Sequence, residues 1–451
     1  MRKSFIAAAN FSKITLATMF LLLLVSCTTP KPTPEAAGAL PVTPEVPTAV
    51  ATAEPKPKNA GAPPVTVTPV ETNTPLITSE PVIPTATVPP ALHQNVGQVA
   101  YAASECSDKY PCNEDFASWE ARIQTPPGFV ASVFARVDDY PTSLTFGPAG
   151  QLFVAGHSGT IYEVDGAGRV SAYVDGFVVP TGIAFQPGTQ KLYVSSRVND
   201  LNVGGEGKIS MVEDGQVTTL FDGLPCCYLG MHGPNGIAFG PDGFGYVGVG
   251  GRADHGERLV EPNVSQMDDM HPLEASILRF SPDGSLVEVY AHGFRNPYDI
   301  AWDDDGSLYA TDNGRDPDLE SGVSPADELQ LVVPGAEHGY PYYECSLCFG
   351  IPDGIKVLPP SLELIPHGAA TGLVAYTDEK HPNYYNDLFM VTWSAFEGAQ
   401  KVVRFSPDSG ESSDFATGFA QPIDVTFGPD GNLYVADFAT GIIYRLAFVD
   451  G

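Results

Sequence analysis

Basic residues are scarce in this 451-residue chain: 23 Lys and Arg stand against 54 Asp and Glu, a formal charge of −31. That balance argues against a nucleic-acid partner, and acidity of this size serves solubility without calling for a basic substrate. Long apolar runs are equally few. The one near the N-terminus, Leu16 to Val25, follows Arg2, Lys3 and Lys13 and ends in Leu24-Val-Ser-Cys27. Such a run reads as a targeting segment and not as a spanning helix. Without its three basic residues the chain keeps 20 Lys and Arg against 54 acids, a formal charge of −34. Aromatic residues are nearly missing from Thr28 to about Leu92, where Pro, Thr, Ala and Val dominate. A stretch of that composition cannot bury enough surface to fold and reads as a stiff, solvated tether, expected over 28–100.

Cysteine is limited to seven residues. A small residue before Cys27 at that distance resembles the bacterial lipoprotein box, which implies a lipidated Cys27 as the new N-terminus. The expected location is therefore extracytoplasmic, on a bacterial membrane, held there by the lipid anchor alone. The other six cysteines form three close pairs, Cys106/Cys112, Cys226/Cys227 and Cys345/Cys348. An even number in an exported chain suggests disulfides, and six cysteines leave 15 connectivities open. Cys345-x-x-Cys348 has neither a second CxxC nor a βαβ context beside it, so a structural staple is the expectation. Cys106/Cys112 is expected to tie down an entry segment at 101–127.

What the remainder has is repetition. The stretch from His292 to Asp316 holds a strand from Ile300 to Trp302, a turn ending in Gly306, and a second strand from Leu308 to Thr311. The same unit recurs from Pro141, Pro180, Pro234 and Pro422, with a degenerate copy from Ala370. A third strand follows each hairpin: 159–164, 207–212, 276–280, 328–332, 401–405 and 441–446. Three repeated strands and a variable fourth make a four-stranded antiparallel blade. Six blades predict an all-β, six-bladed β-propeller over 128–451. The segment Gly128 to Ala135 precedes the first unit and is expected to supply the outer strand of the last blade. The starts lie 39, 54, 63, 73 and 52 residues apart, against about 40 to 50 for a plain blade. The excess falls in loops of the third, fourth and fifth intervals, and long loops on a rigid scaffold tend to carry function.

Three constellations fall at equivalent places beside inner strands, where side chains can converge on the central channel. His232-Gly-Pro-Asn235 precedes the third blade, Arg295-Asn296 precedes the fourth, and Asp312-Asn-Gly-Arg-Asp316 opens an acidic loop running through Asp318, Glu320, Asp327 and Glu328. A histidine at a strand entrance is commonly structural, yet its unperturbed pKa suits proton abstraction near neutrality. Glycine, backbone carbonyls and carboxylates are what a hard cation such as Ca²⁺ requires, and they also make a solvated turn.

Together, His232 with Gly240-Pro-Asp-Gly, Gly-Phe-Arg295-Asn-Pro, Asp-Asn-Gly314 with Asp327-Glu-Leu, and His338-Gly-Tyr-Pro341 resemble the glucose/sorbosone dehydrogenases. Lys401-Val-Val-Arg-Phe and Asp414 to Phe419 look closest to the sorbosone-type branch. The resemblance implies a six-bladed propeller that oxidises a sugar with pyrroloquinoline quinone (PQQ) and calcium and passes electrons to an external acceptor. It implies His232 as general base and Arg295 and Asn296 on the quinone oxygens, with Arg252 in support. Calcium would lie on the carbonyls of Gly314 and Arg315, near Asp327 and Glu328. The chain departs from the glucose-oxidising branch at Met231, Gly251, Ser394, Ala395, Gln421 and Ile423, where that branch carries acids or cofactor-binding cations. Two other readings compete: a non-catalytic propeller that binds carbohydrate or a protein partner, and a calcium-dependent lactone hydrolase.

Overall fold

The computed structural model describes residues 109–199, 205–227, 232–252, 258–261, 264–266, 270–316, 324–341, 354 and 356–449. The expected leader, lipidation site and tether, Cys106, Met231, Asp318, Glu320 and the Cys345/Cys348 pair lie outside them. Six antiparallel sheets of four strands each stand in a ring. Blade one runs Pro141–Phe146, Leu152–Gly156, Ile161–Val164 and Val170–Val174. Blade two runs Val178–Phe185, Leu192–Arg197, Glu206–Glu213 and Gln216–Pro225. In blade three, Pro234–Phe239 and Gly245–Val249 are followed by Ser276–Phe280 and Val287–His292. Its long loop carries a hairpin of its own, Arg258–Glu261 with Val264–Gln266. Blade four runs Pro297–Trp302, Leu308–Asp312, Ala326–Val332 and Leu362–Pro366. Blade five runs Ala370–Ala375, Leu388–Thr392, Lys401–Ser406 and Glu411–Thr417. Blade six holds Pro422–Phe427, Leu433–Asp437 and Ile442–Phe448.

The fourth strand of blade six is Phe129–Arg136, from the other end of the propeller sequence, paired from Phe129 opposite Phe448 to Arg136 opposite Ile442. Ring closure therefore follows the pattern expected for Gly128 to Ala135. Five of the six hairpins turn on a glycine that takes a left-handed φ, among them Gly150 at +85°, Gly243 at +80° and Gly431 at +82°, while the longer turn of blade five has Asn386 at +63°. A side chain would strain that position, which is why the Gly-Pro-x-Gly signature is so legible. Before the ring, a short helix, Phe116–Arg122, is capped by Asp115. Its Trp119 is buried among Phe419, Tyr444 and their neighbours, which fastens the entry segment to blades five and six. Cys112, in that segment, is disulfide-bonded.

Inner strands meet their neighbours all the way round, blade six against blade one included. Side chains lash these junctions to the next blade's backbone. Thr142 donates to Pro180 O (2.7 Å), Thr181 to Pro234 O (2.6 Å), Asn235 to Pro297 O (3.1 Å) and Thr311 to Thr371 O (2.6 Å). Two carboxylates do the same as acceptors: Asp299 takes Leu373 N at 2.8 Å and Asp424 takes Leu144 N at 2.5 Å. Glycine makes room for them. A Cβ on Gly236 would stand 2.0 Å from Asp299 Oδ1, and one on Gly372 would stand 2.2 Å from Asp424 Oδ1.

Burial pushes Asp424 up to about 7, and burial, then the Asp424 charge, lifts Asp299 well above the usual carboxylate range. Between an unfolded value of 3.8 and these raised ones the folded chain holds more protons than the unfolded chain. Stability therefore falls as pH rises through that window. The melting temperature is expected to drop as pH rises from about 4 through about 7, and Asp424→Asn, neutral throughout, is expected to flatten the slope. A melting profile whose pH dependence is the same in the variant would contradict this account.

Candidate functional site

His232 and Arg295 come from neighbouring blades, each just ahead of its inner strand, and each is 6% exposed. Gly251 joins them. Its carbonyl meets His232 Nδ1 at 3.0 Å, and its amide donates to Arg295 O at 2.7 Å. A carbonyl only accepts, so the proton of the ring belongs on Nδ1, which makes Nε2 the unprotonated, accepting nitrogen. Burial, and then the Arg295 charge, holds the His232 pKa well below its usual 6.5. The imidazole is thus a neutral base at physiological pH.

Asp312, the last residue of its strand, fixes the second half of the site. Its two carboxylate oxygens accept Asn296 N at 2.7 Å and Arg295 N at 3.0 Å. The guanidinium then reaches Asn313 O (3.4 Å) and the Asp316 carboxylate (3.5 Å). Asn296 receives Asn235 Nδ2 at 2.9 Å and donates to Asn313 Oδ1 at 3.3 Å, so blades three and four share one amide network. Gly250 has no side chain where this network passes. A Cβ there would lie 2.6 Å from Asn296 Oδ1 and 3.1 Å from His232 Cβ.

The remaining expected residues divide. Gly314 and Arg315 are buried in the loop that follows Asp312. Asp327 accepts Gly314 N at 2.9 Å and Ala370 N at 3.1 Å, which pins that loop between blades four and five. Glu328 lies opposite Asp312 in the strand register and takes Gln330 Nε2 at 2.5 Å. Arg252 is ion-paired with the buried Glu274. Among the described residues, no three His, Cys, Asp or Glu side chains gather as a metal-ligand set. Backbone carbonyls of the 312–316 loop would therefore have to supply much of any cation site there.

Sequence reasoning used His338-Gly-Tyr-Pro341 only as a family mark, and the structure shows what it does. His338 N donates to His292 O (2.8 Å) and Tyr340 N to Gly293 O (2.9 Å). The His338 ring stacks on Phe294 at 4.5 Å, and its Nδ1 lies 3.2 Å from Gln330 Oε1. Burial holds this histidine down to about 4, so it is a neutral buttress for Phe294, the residue before Arg295. Gly293, at φ +91°, is required where the two segments touch, since a Cβ would stand 2.5 Å from the amides of His338 and Gly339.

The arrangement repeats on blade six without the cation. Asp437 accepts Ala420 N (2.7 Å) and Gln421 N (2.9 Å), as Asp312 accepts Arg295 N and Asn296 N. The Gln421 side chain is fully buried, and neither its Oε1 nor its Nε2 has a hydrogen-bond partner among the described residues. Trp393 Nε1 on blade five is also buried without one. Orphaned buried donors are costly unless a ligand or water meets them.

The family described as glucose/sorbosone dehydrogenase matches residues 138–445. The chain is similar in structure to the PQQ-bound aldose sugar dehydrogenase of Streptomyces coelicolor, at 21% identity and a TM-score of 0.54, over 72% of this chain and all of that one. The soluble aldose sugar dehydrogenase of Escherichia coli, in its apo form, aligns over 71% of this chain and all of that one, at 18% identity and a TM-score of 0.55. A calcium structure of a family AA12 carbohydrate-active enzyme from Trichoderma reesei covers 72% and 97%, at 14% identity and a TM-score of 0.55. At these identities the likeness is one of fold. Among curated proteins no relative matches.

Proposed function

The chain belongs to the glucose/sorbosone dehydrogenase family, and from that premise we propose that it is a PQQ-dependent oxidoreductase that oxidises an aldose or a related polyhydroxy compound. The observation that carries the proposal is the Gly251 bridge, which ties a neutral, Nδ1-protonated imidazole to the backbone of Arg295, whose charge acts on that ring.

The donors present suit an oxygen-rich anionic cofactor with a divalent cation. Arg295 supplies a buried positive charge, Asn296 an amide, and Gln421 and Trp393 supply buried donors with no partner among the described residues. In this reading Arg295 and Asn296 would hold the quinone oxygens, with Arg252, itself paired with Glu274, in support, and the carbonyls of Gly314 and Arg315 would hold calcium. Asp327 and Glu328 keep that loop in place behind them. When bound, PQQ with calcium supplies the electrophilic centre that accepts a hydride and later gives two electrons to an external acceptor. The chain's own part is proton transfer and charge placement. His232 Nε2 would take the proton from the hydroxyl oxygen borne by the sugar carbon that loses hydride. Arg295 would offset negative charge on the oxygens of a bound quinone, where a preorganised cation is worth most.

Purified protein incubated with PQQ and Ca²⁺ is expected to reduce a dye with one or more members of an aldose panel. No spectral change on adding PQQ, together with no dye reduction, would reject the proposal. Because the neutral ring is the competent base and its pKa is depressed, activity persists below the ordinary histidine range. The acid limb of kcat/KM is expected to lie below pH 6.5, and a limb at or above that value would contradict the assignment.

The proposal extends to place. The leader pattern and Cys27 support a lipid-anchored, extracytoplasmic enzyme on a tether spanning 28–100, and the disulfide between Cys226 and Cys227 suits an oxidising compartment. Among the described residues no helix is long and apolar enough to cross a membrane.

A further inference from the structure

A pair of sulfurs lies behind the His232 peptide. Cys226 and Cys227 are joined as a disulfide between adjacent residues, just past Gln216–Pro225, where the chain leaves blade two for blade three. Both are 1% exposed. Cys226 Sγ sits 3.5 Å from the carbonyl oxygen of His232, and a Cβ on Gly233 would stand 3.1 Å from the same sulfur. In front, the imidazole rests on Gly251 O. The residue is thus held from two sides, by sulfur against its backbone and by a carbonyl against its ring.

Two free thiols would make a different wall. Each Sγ would be at liberty among staggered rotamers and would carry a proton to offer a carbonyl. The closed ring permits neither, so the surface behind His232 has one shape and no donor.

We propose that the Cys226–Cys227 disulfide is a positioning element for the His232 base, fixing its peptide so that Nδ1 stays on Gly251 O and Nε2 stays the acceptor. Its consequence for turnover rests on the proposed sugar oxidation, whereas its consequence for the ring does not. A general base displaced by a fraction of an ångström loses rate while the substrate still binds.

The test compares the full chain with its Cys226→Ala/Cys227→Ala variant by ¹⁵N NMR of the imidazoles without cofactor, and by turnover with PQQ, Ca²⁺ and the best aldose of the panel. The parent is expected to show His232 as a single tautomer with its proton on Nδ1. The variant is expected to show a second, exchanging set of signals, with kcat lower by on the order of tenfold and KM within about twofold. A folded variant with one tautomer and unchanged kcat overturns the proposal. Should the double variant fail to fold, Gly233→Ala keeps both sulfurs and presses a methyl group on Cys226 Sγ. The same mixing of tautomers is then expected with the disulfide intact, and an unchanged spectrum overturns the proposal equally. Mixed tautomers in a protein that turns over no aldose would leave the positioning role standing and remove the sugar reading.

Discussion

Replacement of His232 by alanine is expected to lower kcat by about 10²–10⁴-fold while PQQ and Ca²⁺ still bind. The reason lies in the division of labour across the Gly251 bridge. Oxidising an alcohol carbon removes a hydride and a proton, and Nε2 of His232 is the acceptor the site offers for the proton. Arg295 and Asn296 are positioned without it, because their amides hang on Asp312 and not on the imidazole. Cofactor titration monitored by absorbance, beside steady-state kinetics, separates the two functions. Loss of binding and turnover together would show that His232 holds the cofactor, which contradicts the role given to it. The side chain is buried, so the variant is also expected to lose some stability, and both measurements belong below its melting transition.

The second large effect is expected at Asp437. This carboxylate is fully buried and accepts four hydrogen bonds: Ala420 N, Gln421 N, Thr440 N at 3.1 Å and Thr440 Oγ1 at 2.9 Å. Burial raises its pKa, and the donors oppose that rise. Alanine would strand those donors in the interior. At about 1–3 kcal/mol for each unsatisfied group, less the relief of no longer burying a charge, the net loss is expected to be about 3–6 kcal/mol. Urea unfolding monitored by tryptophan fluorescence reads it as a fall in the midpoint at constant slope. Asp312 is the natural comparison, because it makes the same clamp with two amides. Asp312→Ala is expected to cost less stability and far more turnover, since the amides it releases carry Arg295 and Asn296. Equal losses of turnover in the two variants would show that the clamp is only structural in both places.

These two aspartates mark where the sequence can be read and where it cannot. Five of the six hairpins were legible from a local signal, a proline at or near the strand entrance and a glycine at positive φ in the turn, beside short apolar runs that are buried along most of their length; blade five, which begins at Ala370, has neither. The third strands lie within two residues of their expected bounds at either end, as at Ala326 in place of Glu328 and Phe448 in place of Leu446. Asp312 and Asp437, by contrast, are spelled like any acidic turn. What sets them apart is an acceptor role toward amides that lie 16 or 17 residues earlier in the chain. Gly251 joins His232 to Arg295 through its backbone, and a backbone group leaves no trace in the amino-acid alphabet. Arg252 looked like a spare cation until Glu274, 22 residues on, proved to hold it. The cysteine count limited the pairings to 15 without choosing among them, and the choice of Cys226 with Cys227 came from the fold.

Blade six borrows Phe129–Arg136 from the far side of the sequence, and that loan sets a timetable. A polypeptide emerging from its N-terminus presents this strand first and must keep it waiting, unpartnered, until Ile442–Phe448 appears more than 300 residues later. Through that interval an open edge rich in apolar side chains, Phe129-Val-Ala and Val133-Phe-Ala, is available to any other chain nearby. Assembly of the wheel is therefore a terminal event, and its most exposed moment comes just before the last strand arrives.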